Sequence, residues 1–321
     1  RVRAACGTHA PFFAVASTVY VDADRPPRGV PAVLAFTDTL RDDRTGALTL
    51  ATQEQVGAVF GLAYDAARGH LYAAAFHKRA TAFGPGGPGQ IYDIDVATGQ
   101  VRPLVALGAG PDRHDHRVEM DEAAALWVGR AGLGDIDLDD TGDTLFAVNL
   151  TDARIYRIDV PSRTVVGTFA HGAAGRDWAR NARPFGLAYR DGWLYHAVEF
   201  ESVPGMLQGM VFRSRPDGAE MTELARVTFS YPHNAAWRRW DHALPQVFSL
   251  DGAVQAVGQP WIVDLEHTAG GDLVLGVRDR MVDTLPVLGR LRFGTTAPRP
   301  GVGDVLPMRQ SGGLWAVIPE P

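Results

Sequence analysis

The chain predicts an all-β fold, a β-propeller of four-stranded blades with five blades in the ring. Two observations carry this. A strand–turn–strand unit recurs at 60–76 (FGLAYDAARGHLYAAAF), 133–150 (LGDIDLDDTGDTLFAVNL), 185–200 (FGLAYRDGWLYHAVEF) and 261–277 (WIVDLEHTAGGDLVLGV). Each copy alternates apolar residues around a turn of Gly and Asp, the pattern of a β-hairpin. A second strand pair follows every copy: 90–96 with 101–107, 153–160 with 164–169, 210–215 with 221–228, and 304–308 with 314–318. Hairpin plus hairpin makes one four-stranded sheet, and its repetition is the signature of a radial architecture.

The aligned copies assign the packing. Leu62 and Tyr64 correspond to Ile136 and Leu138, to Leu187 and Tyr189, and to Val263 and Leu265. This face of the innermost strand is apolar in every copy, as a sheet stacked on its neighbour requires. The opposite face varies: Gly61 and Ala63, Asp135 and Asp137, Gly186 and Ala188, then Ile262 and Asp264. Small residues permit close approach near the ring axis, whereas each Asp needs solvent, a hydrogen-bond donor or a cation. Strands at 30–37 and 46–51, with the apolar stretch 12–21, supply the fifth blade. A sixth would need strands within 108–130 or 229–258. Residues 1–29 read as a leader and 30–321 as one propeller domain closed by N- and C-terminal strands, with a short helix at 120–128.

Composition narrows the function classes. The 321 residues carry a formal charge of −6, and no basic stripe of the kind a nucleic-acid surface needs is visible. No stretch has the ~18 consecutive apolar residues of a membrane-spanning helix. The single cysteine, Cys6, cannot form an intrachain disulfide. Its setting, Ala4-Ala5-Cys6-Gly7, is similar to the end of a bacterial lipoprotein signal, although a plain buried or surface thiol explains it more simply. No G-x-S-x-G elbow is present, and the run 83–90 lacks the G-K-[ST] of a phosphate loop.

The segments 55–65 (QVGAVFGLAYD), 71–95, 133–138 (LGDIDL), 183–195 (RPFGLAYRDGWLY) and 272–280 (DLVLGVRDR) resemble, in matching order, the propeller region of bacterial SdrD B-like cell-surface proteins. The resemblance spans roughly residues 50–310. It implies a propeller outside the cytoplasm, in the periplasm or at the cell surface, and it implies no catalytic residues.

Among residues that could carry chemistry, Asp137 and Asp264 share one register on innermost strands of different blades. Two carboxylates meeting in a channel of low dielectric either raise one another's pKa or recruit a cation such as Ca²⁺, with Asn149 able to add an oxygen. The competing role for the Asp side chains is to accept backbone N–H bonds or to pair with Arg278 or Arg280. The segment 112–117 (DRHDHR) places two imidazoles and two carboxylates together, and His114 and His116 could reach one ion. Arg113 and Arg117 oppose that, and a solvated loop is the simpler expectation.

Docking has its own candidates. Residues 231–245 hold Trp237, Arg238, Arg239 and Trp240, and a second such segment holds Trp178; Trp and Arg are the residues enriched at interaction hot spots. The function expected from the sequence is therefore a binding or scaffold module outside the cytoplasm. Its partner would be a protein or a larger membrane-associated assembly, for which the chain could serve as an extrinsic subunit. The alternative is a metal-dependent lactonase- or esterase-like hydrolase with a cation at the channel mouth.

Overall fold

Four of the five sheets are four-stranded antiparallel meanders in which every strand pairs with its neighbour in sequence. The computed structural model describes residues 12–19, 28–37, 46–115, 121–230, 237, 240, 258–284, 303–311 and 314–318. The first sheet contains β1 (Phe12–Ala16), β2 (Pro31–Thr37) and β3 (Leu48–Thr52), three strands among the described residues. The second contains β4 (Val59–Asp65), β5 (His70–Ala75), β6 (Gln90–Asp95) and β7 (Val101–Ala106). The third runs through β8 (Leu133–Leu138), β9 (Thr144–Asn149), β10 (Arg154–Asp159) and β11 (Thr164–Ala170). The fourth comprises β12 (Arg183–Arg190), β13 (Trp193–Val203), β14 (Met206–Ser214) and β15 (Thr222–Thr228). The fifth comprises β16 (Pro260–His267), β17 (Leu273–Asp279), β18 (Asp304–Ser311) and β19 (Leu314–Val317).

Together they form a five-bladed β-propeller with β1, β4, β8, β12 and β16 innermost. Strand β1 falls inside the stretch expected as a leader and pairs with β2 in the first blade. Within 108–130, where a sixth blade would have needed strands, the described residues carry α2 (Glu122–Ala125), inside the short helix expected at 120–128; α1 (Gln53–Val56) and α3 (Met281–Thr284) are likewise single-turn helices. Most of 229–258 lies outside the described residues.

Turn chemistry explains the hairpins. Asp65 accepts the N–H groups of Ala67 and Arg68 at 3.0 and 2.9 Å, after which Gly69 takes a φ of 73° that an L side chain resists. Each repeat's innermost strand also carries a bulge near its start, within 59–62, 133–136, 184–187 and 262–264. A bulge adds local twist, which suits a strand at the crowded axis of the ring.

The core lies between sheets rather than within one. Leu71, Ala73 and Ile94 pack on Val33 and Leu50 at the first junction, and Ile136 and Leu145 pack on Tyr72 and Ile91 at the second. Phe185 and Leu187 meet Phe146 and Val148 at the third, and Leu265 and Leu275 meet Ala197 and Val211 at the fourth. Burying each such side chain contributes about 1.5–3 kcal/mol. Among the described residues no corresponding core cluster joins the fifth sheet to the first. Tyr64 departs from the expected apolar face, being 53% exposed. Its face of β4 looks toward β1, a strand of five residues, instead of a full-length neighbour.

Candidate functional site

The two faces of each innermost strand do different work. In β4, β8 and β12 the apolar face packs against the preceding blade and the variable face meets the following one; in β16 the bulge exchanges two residues of that pattern, so Ile262 packs on the fourth sheet and Val263 lines the channel. A Cβ added to Gly61 would sit 2.7 Å from the Gly134 carbonyl oxygen, and one on Gly186 would sit 2.7 Å from the Asp264 nitrogen. These glycines let neighbouring strands approach to backbone contact.

Between β8 and β12 two carboxylates take the positions of these small residues. Asp135 accepts the Ile136 N–H at 3.0 Å and the Leu187 N–H at 3.1 Å. Asp137 repeats the arrangement one register further, accepting Leu138 N–H at 2.8 Å and Tyr189 N–H at 2.6 Å. An innermost strand pairs on one edge only, so its other edge would present unmet donors. Asp135 and Asp137 cap that edge of β12 from the neighbouring blade.

One end of the channel is closed by aromatic rings from the first residue of three repeats. Phe60 and Phe185 pack edge-on at 4.9 Å between centroids, Phe185 meets Trp261 at 4.4 Å, and Trp240 covers Trp261 at 5.0 Å. The fourth copy has Gly134 there, where a Cβ would press the Phe185 carbonyl oxygen at 3.1 Å.

Where β16 faces β1 no such closure exists among the described residues. A cleft of about 650 Å³ opens there, with Ala14 and Ala16 on one wall and Val263, Asp264 and Glu266 on the other. Phe60, Leu62 and Phe76 form its apolar part, and Asp135 reaches it from β8. Lys78 and Arg278 also line it, but both are committed to buried Asp283, by an Arg278 fork at 2.7 and 2.8 Å and by Lys78 Nζ at 3.2 Å. Burial opposes charge on Asp283, yet the two cations outweigh it and hold the carboxyl below its ordinary range.

The channel carboxylates behave in the opposite way. Burial lifts Asp135 well above the usual carboxylate range, and the charge of Asp264 adds to the shift. Asp137 is pushed up to about 6, again by burial first, against the pull of its two backbone donors. Asp264 and Glu266 are raised by the same cause, with Asp264 acting on Glu266. Among the described residues, the printed ion pairs of the cleft's cations go to Asp283, and its wall is a set of carboxyl groups raised by burial.

The residues expected to form sites distribute as follows. Asp137 and Asp264 do share one electrostatic environment, but Asn149 is committed elsewhere: its amide donates to Gly108 O at 3.2 Å and accepts from Thr151 N–H at 3.0 Å. It pairs with Leu133, whereas Asp137 pairs with Phe146, so three residues, about 10 Å, separate it from Asp137 along the strand. Trp240 is 5% exposed, inside the aromatic plug and beneath Arg280, so it packs the interior instead of offering a docking anchor. Trp237 is half-buried against Phe229, and Trp178 stacks on Phe200 with centroids 3.8 Å apart. Arg238, Arg239, His116 and Arg117 lie outside the described residues.

Sequence reasoning missed Glu266, although it stands two residues after Asp264 on the same strand and period-2 alternation places both on one face. It also missed Glu199. Burial pushes that carboxyl up to about 8, against the opposing pull of Arg183 and Arg280. The structure gathers His77, Asp112 and His114 so that their ligand atoms all lie within 4.8 Å of one another. Among the described residues no channel carboxylates converge in that way.

No protein-family profile matches the chain. It is similar to Colossin-D of Dictyostelium discoideum, 23% identical over 251 residues, covering 72% of this chain and 26% of that protein. Colossin-A of the same organism is 25% identical over 292 residues, covering 82% of this chain and 2% of its own length. The chain thus spans about a quarter of one relative and a small fraction of the other. Among solved structures, one chain of a nidogen/laminin complex is similar with a TM-score of 0.47 and 13% identity, over 86% of this chain and 76% of that one.

Proposed function

We propose that this chain is an extracytoplasmic binding module whose ligand enters the cleft between β1 and β16. The observation that supports it is the asymmetry of the ring. Four junctions are closed by apolar clusters, and the fifth presents a cleft with an apolar floor and a carboxylate wall. Rigid blades hold that cleft in shape without a ligand, which lowers the ordering cost of binding. A partner that fits carries a Lys or Arg side chain for Asp264 and Glu266, flanked by an apolar residue for Phe60, Leu62 and Val263. The partner class is a protein segment, in keeping with a scaffold role. The extracytoplasmic placement rests on the resemblance of the repeats to SdrD B-like surface proteins, and fractionation of the producing cells checks it.

Short synthetic peptides test the cleft by titration calorimetry: one set with Arg or Lys beside Leu or Phe, one with Glu in place of the base. Binding of the basic set alone, weakening as salt rises from 0.05 to 0.5 M and falling at least tenfold in Asp264→Asn/Glu266→Gln, is the expected result. Equal binding of acidic and basic peptides, or no effect of the double substitution, would overturn the proposal.

A further inference from the structure

We propose that His77, Asp112 and His114 form a site for a divalent transition-metal ion, zinc by preference, that fastens the 108–121 connection to the end of strand β5. The ligand atoms of the three residues lie within 4.8 Å of one another, and a zinc ion with bonds of about 2.0–2.1 Å needs its donors about 3.3 Å apart. Side-chain rotations must make up the difference, with Asp112 giving up the His114 N–H that it accepts at 2.9 Å.

His77 supplies the independent indication. It stands two residues past the end of β5, is fully buried at 0% exposure, and neither of its ring nitrogens has a hydrogen-bond partner. Buried polar groups are nearly always satisfied, and a buried imidazole left without any bond is a costly exception. A metal ion would use the nitrogen lone pair that the protein leaves unused.

The His114 ring stacks on His77 with centroids 4.4 Å apart at 18°, so one ring must turn for both nitrogens to meet a single ion. The Nδ1 of His114 lies 2.7 Å from Asp121 Oδ2, which leaves Nε2 as the ligating nitrogen and fixes the ring's orientation. Asp121 is itself held by the N–H groups of Ala80 at 2.9 Å and Asp115 at 2.8 Å. It keeps a φ of 38°, a left-handed conformation that persists in a non-glycine residue only where its surroundings over-determine it. The conformation aims a carboxylate at His114.

The surroundings suit an ion bound at the edge of solvent. Phe83 packs edge-on against both rings, at 5.1 Å from His77 and 5.4 Å from His114. Asp112 is exposed and would supply the anionic ligand together with access for exchange. The Arg113 guanidinium, which the sequence sets against a cation, lies over the Trp127 ring at 5.0 Å, and Arg79 donates to Thr284 O at 2.9 Å. Two imidazoles and one carboxylate favour Zn²⁺ and its transition-metal neighbours over Ca²⁺ or Mg²⁺, which prefer all-oxygen sets.

The test uses the whole chain, stripped with EDTA and dialysed, then titrated with ZnCl₂ by calorimetry and with CoCl₂ by visible absorption. One equivalent of Zn²⁺ should bind, raise the unfolding midpoint and be released by EDTA, and Co²⁺ should give a d–d spectrum that Zn²⁺ displaces. Asp112→Asn, an exposed change that leaves the metal-free midpoint where it was, should weaken Zn²⁺ at least tenfold. Asp121→Asn should weaken it 10–100-fold, as loss of an orienting carboxylate does. His77→Asn should abolish the Co²⁺ spectrum, and Asp112→Asn keeps the proposal testable should that variant not fold. Asp137→Asn should bind Zn²⁺ as the parent does. Binding unchanged in Asp112→Asn, binding lost in Asp137→Asn, or a midpoint shift with Ca²⁺ and none with Zn²⁺ would each overturn the proposal.

Discussion

The arc from β4 through β16 and the seam between β16 and β1 solve the same problem in different ways. Every innermost strand must present its variable face to the next blade. In the arc that face is Gly61 and Ala63, then Asp135 and Asp137, then Gly186 and Ala188, and each pair either removes the gap or fills it with carboxylates bonded to the neighbouring strand. At the seam the face is Val263, Asp264 and Glu266, because the bulge at 262–264 turns Ile262 onto the fourth sheet, and the strand opposite is the short β1. The same register position thus closes a junction when a donor edge lies across from it and lines a cleft when none does. A carboxylate's role here is set by its neighbour, not by its place in the repeat.

Substitutions in the arc should be costly. Gly61→Val puts a branched side chain where even a Cβ would lie 2.7 to 3.0 Å from the backbone of Gly134, Ile136 and Asp135. Whole blades must separate to admit it, and denaturant unfolding should show a loss of about 3 kcal/mol. Asp135→Ala leaves the Leu187 and Ile136 N–H groups without their acceptor. Relief of a buried carboxyl offsets part of that, so about 2 kcal/mol is expected from the same measurement. A cost below half of either figure would mean that the arc is no more tightly joined than the seam.

The acid–base behaviour of the arc is a smaller effect with a defined sign. Asp137 is pushed up to about 6 in the folded chain from an unfolded value of 3.8. A raised folded pKa gives stability that is full below the unfolded value and is lost as pH rises through the folded one. Between pH 4 and 6 the parent should therefore lose stability from this group, by roughly 2 kcal/mol as an order of magnitude. Asp137→Asn, which keeps one acceptor oxygen, should flatten that part of the pH profile in chemical denaturation. A slope identical to the parent's would assign the titration to another group.

Much of this was legible in the sequence, because a repeat prints its packing several times over. Period-2 alternation identified the apolar face, and the varying opposite face marked Asp135, Asp137 and Asp264 before any coordinates. What period alone cannot say is which neighbour a residue meets. Asp137 looks equally suited to a cation or to Tyr189 N–H until the blade beside it is placed. Trp240 reads as a surface anchor because Trp and Arg cluster around it in sequence, yet the cations over its ring come from other blades in the interior, Arg280 at 4.3 Å and Arg183 at 5.2 Å. The His77–His114 pair joins residues 37 positions apart in different connections, and no local spacing rule reaches across that distance.

The seam should respond least in stability and most in recognition. Ala14→Leu adds three carbons to a wall already open to solvent, and Glu266→Gln removes a charge that contacts no cation of the described protein. Surface changes of this kind usually alter stability by no more than about 0.5 kcal/mol. Denaturant midpoints of both variants should therefore match the parent's, while the Leu side chain narrows the cleft and the Gln removes its attraction for a base. Binding of a basic peptide should fall in each, several-fold for Glu266→Gln and further for Ala14→Leu if the apolar residue of the ligand sits against β1. A midpoint lowered as far as in the arc variants would show instead that the seam is a closed junction in solution, with segments outside the described residues completing it.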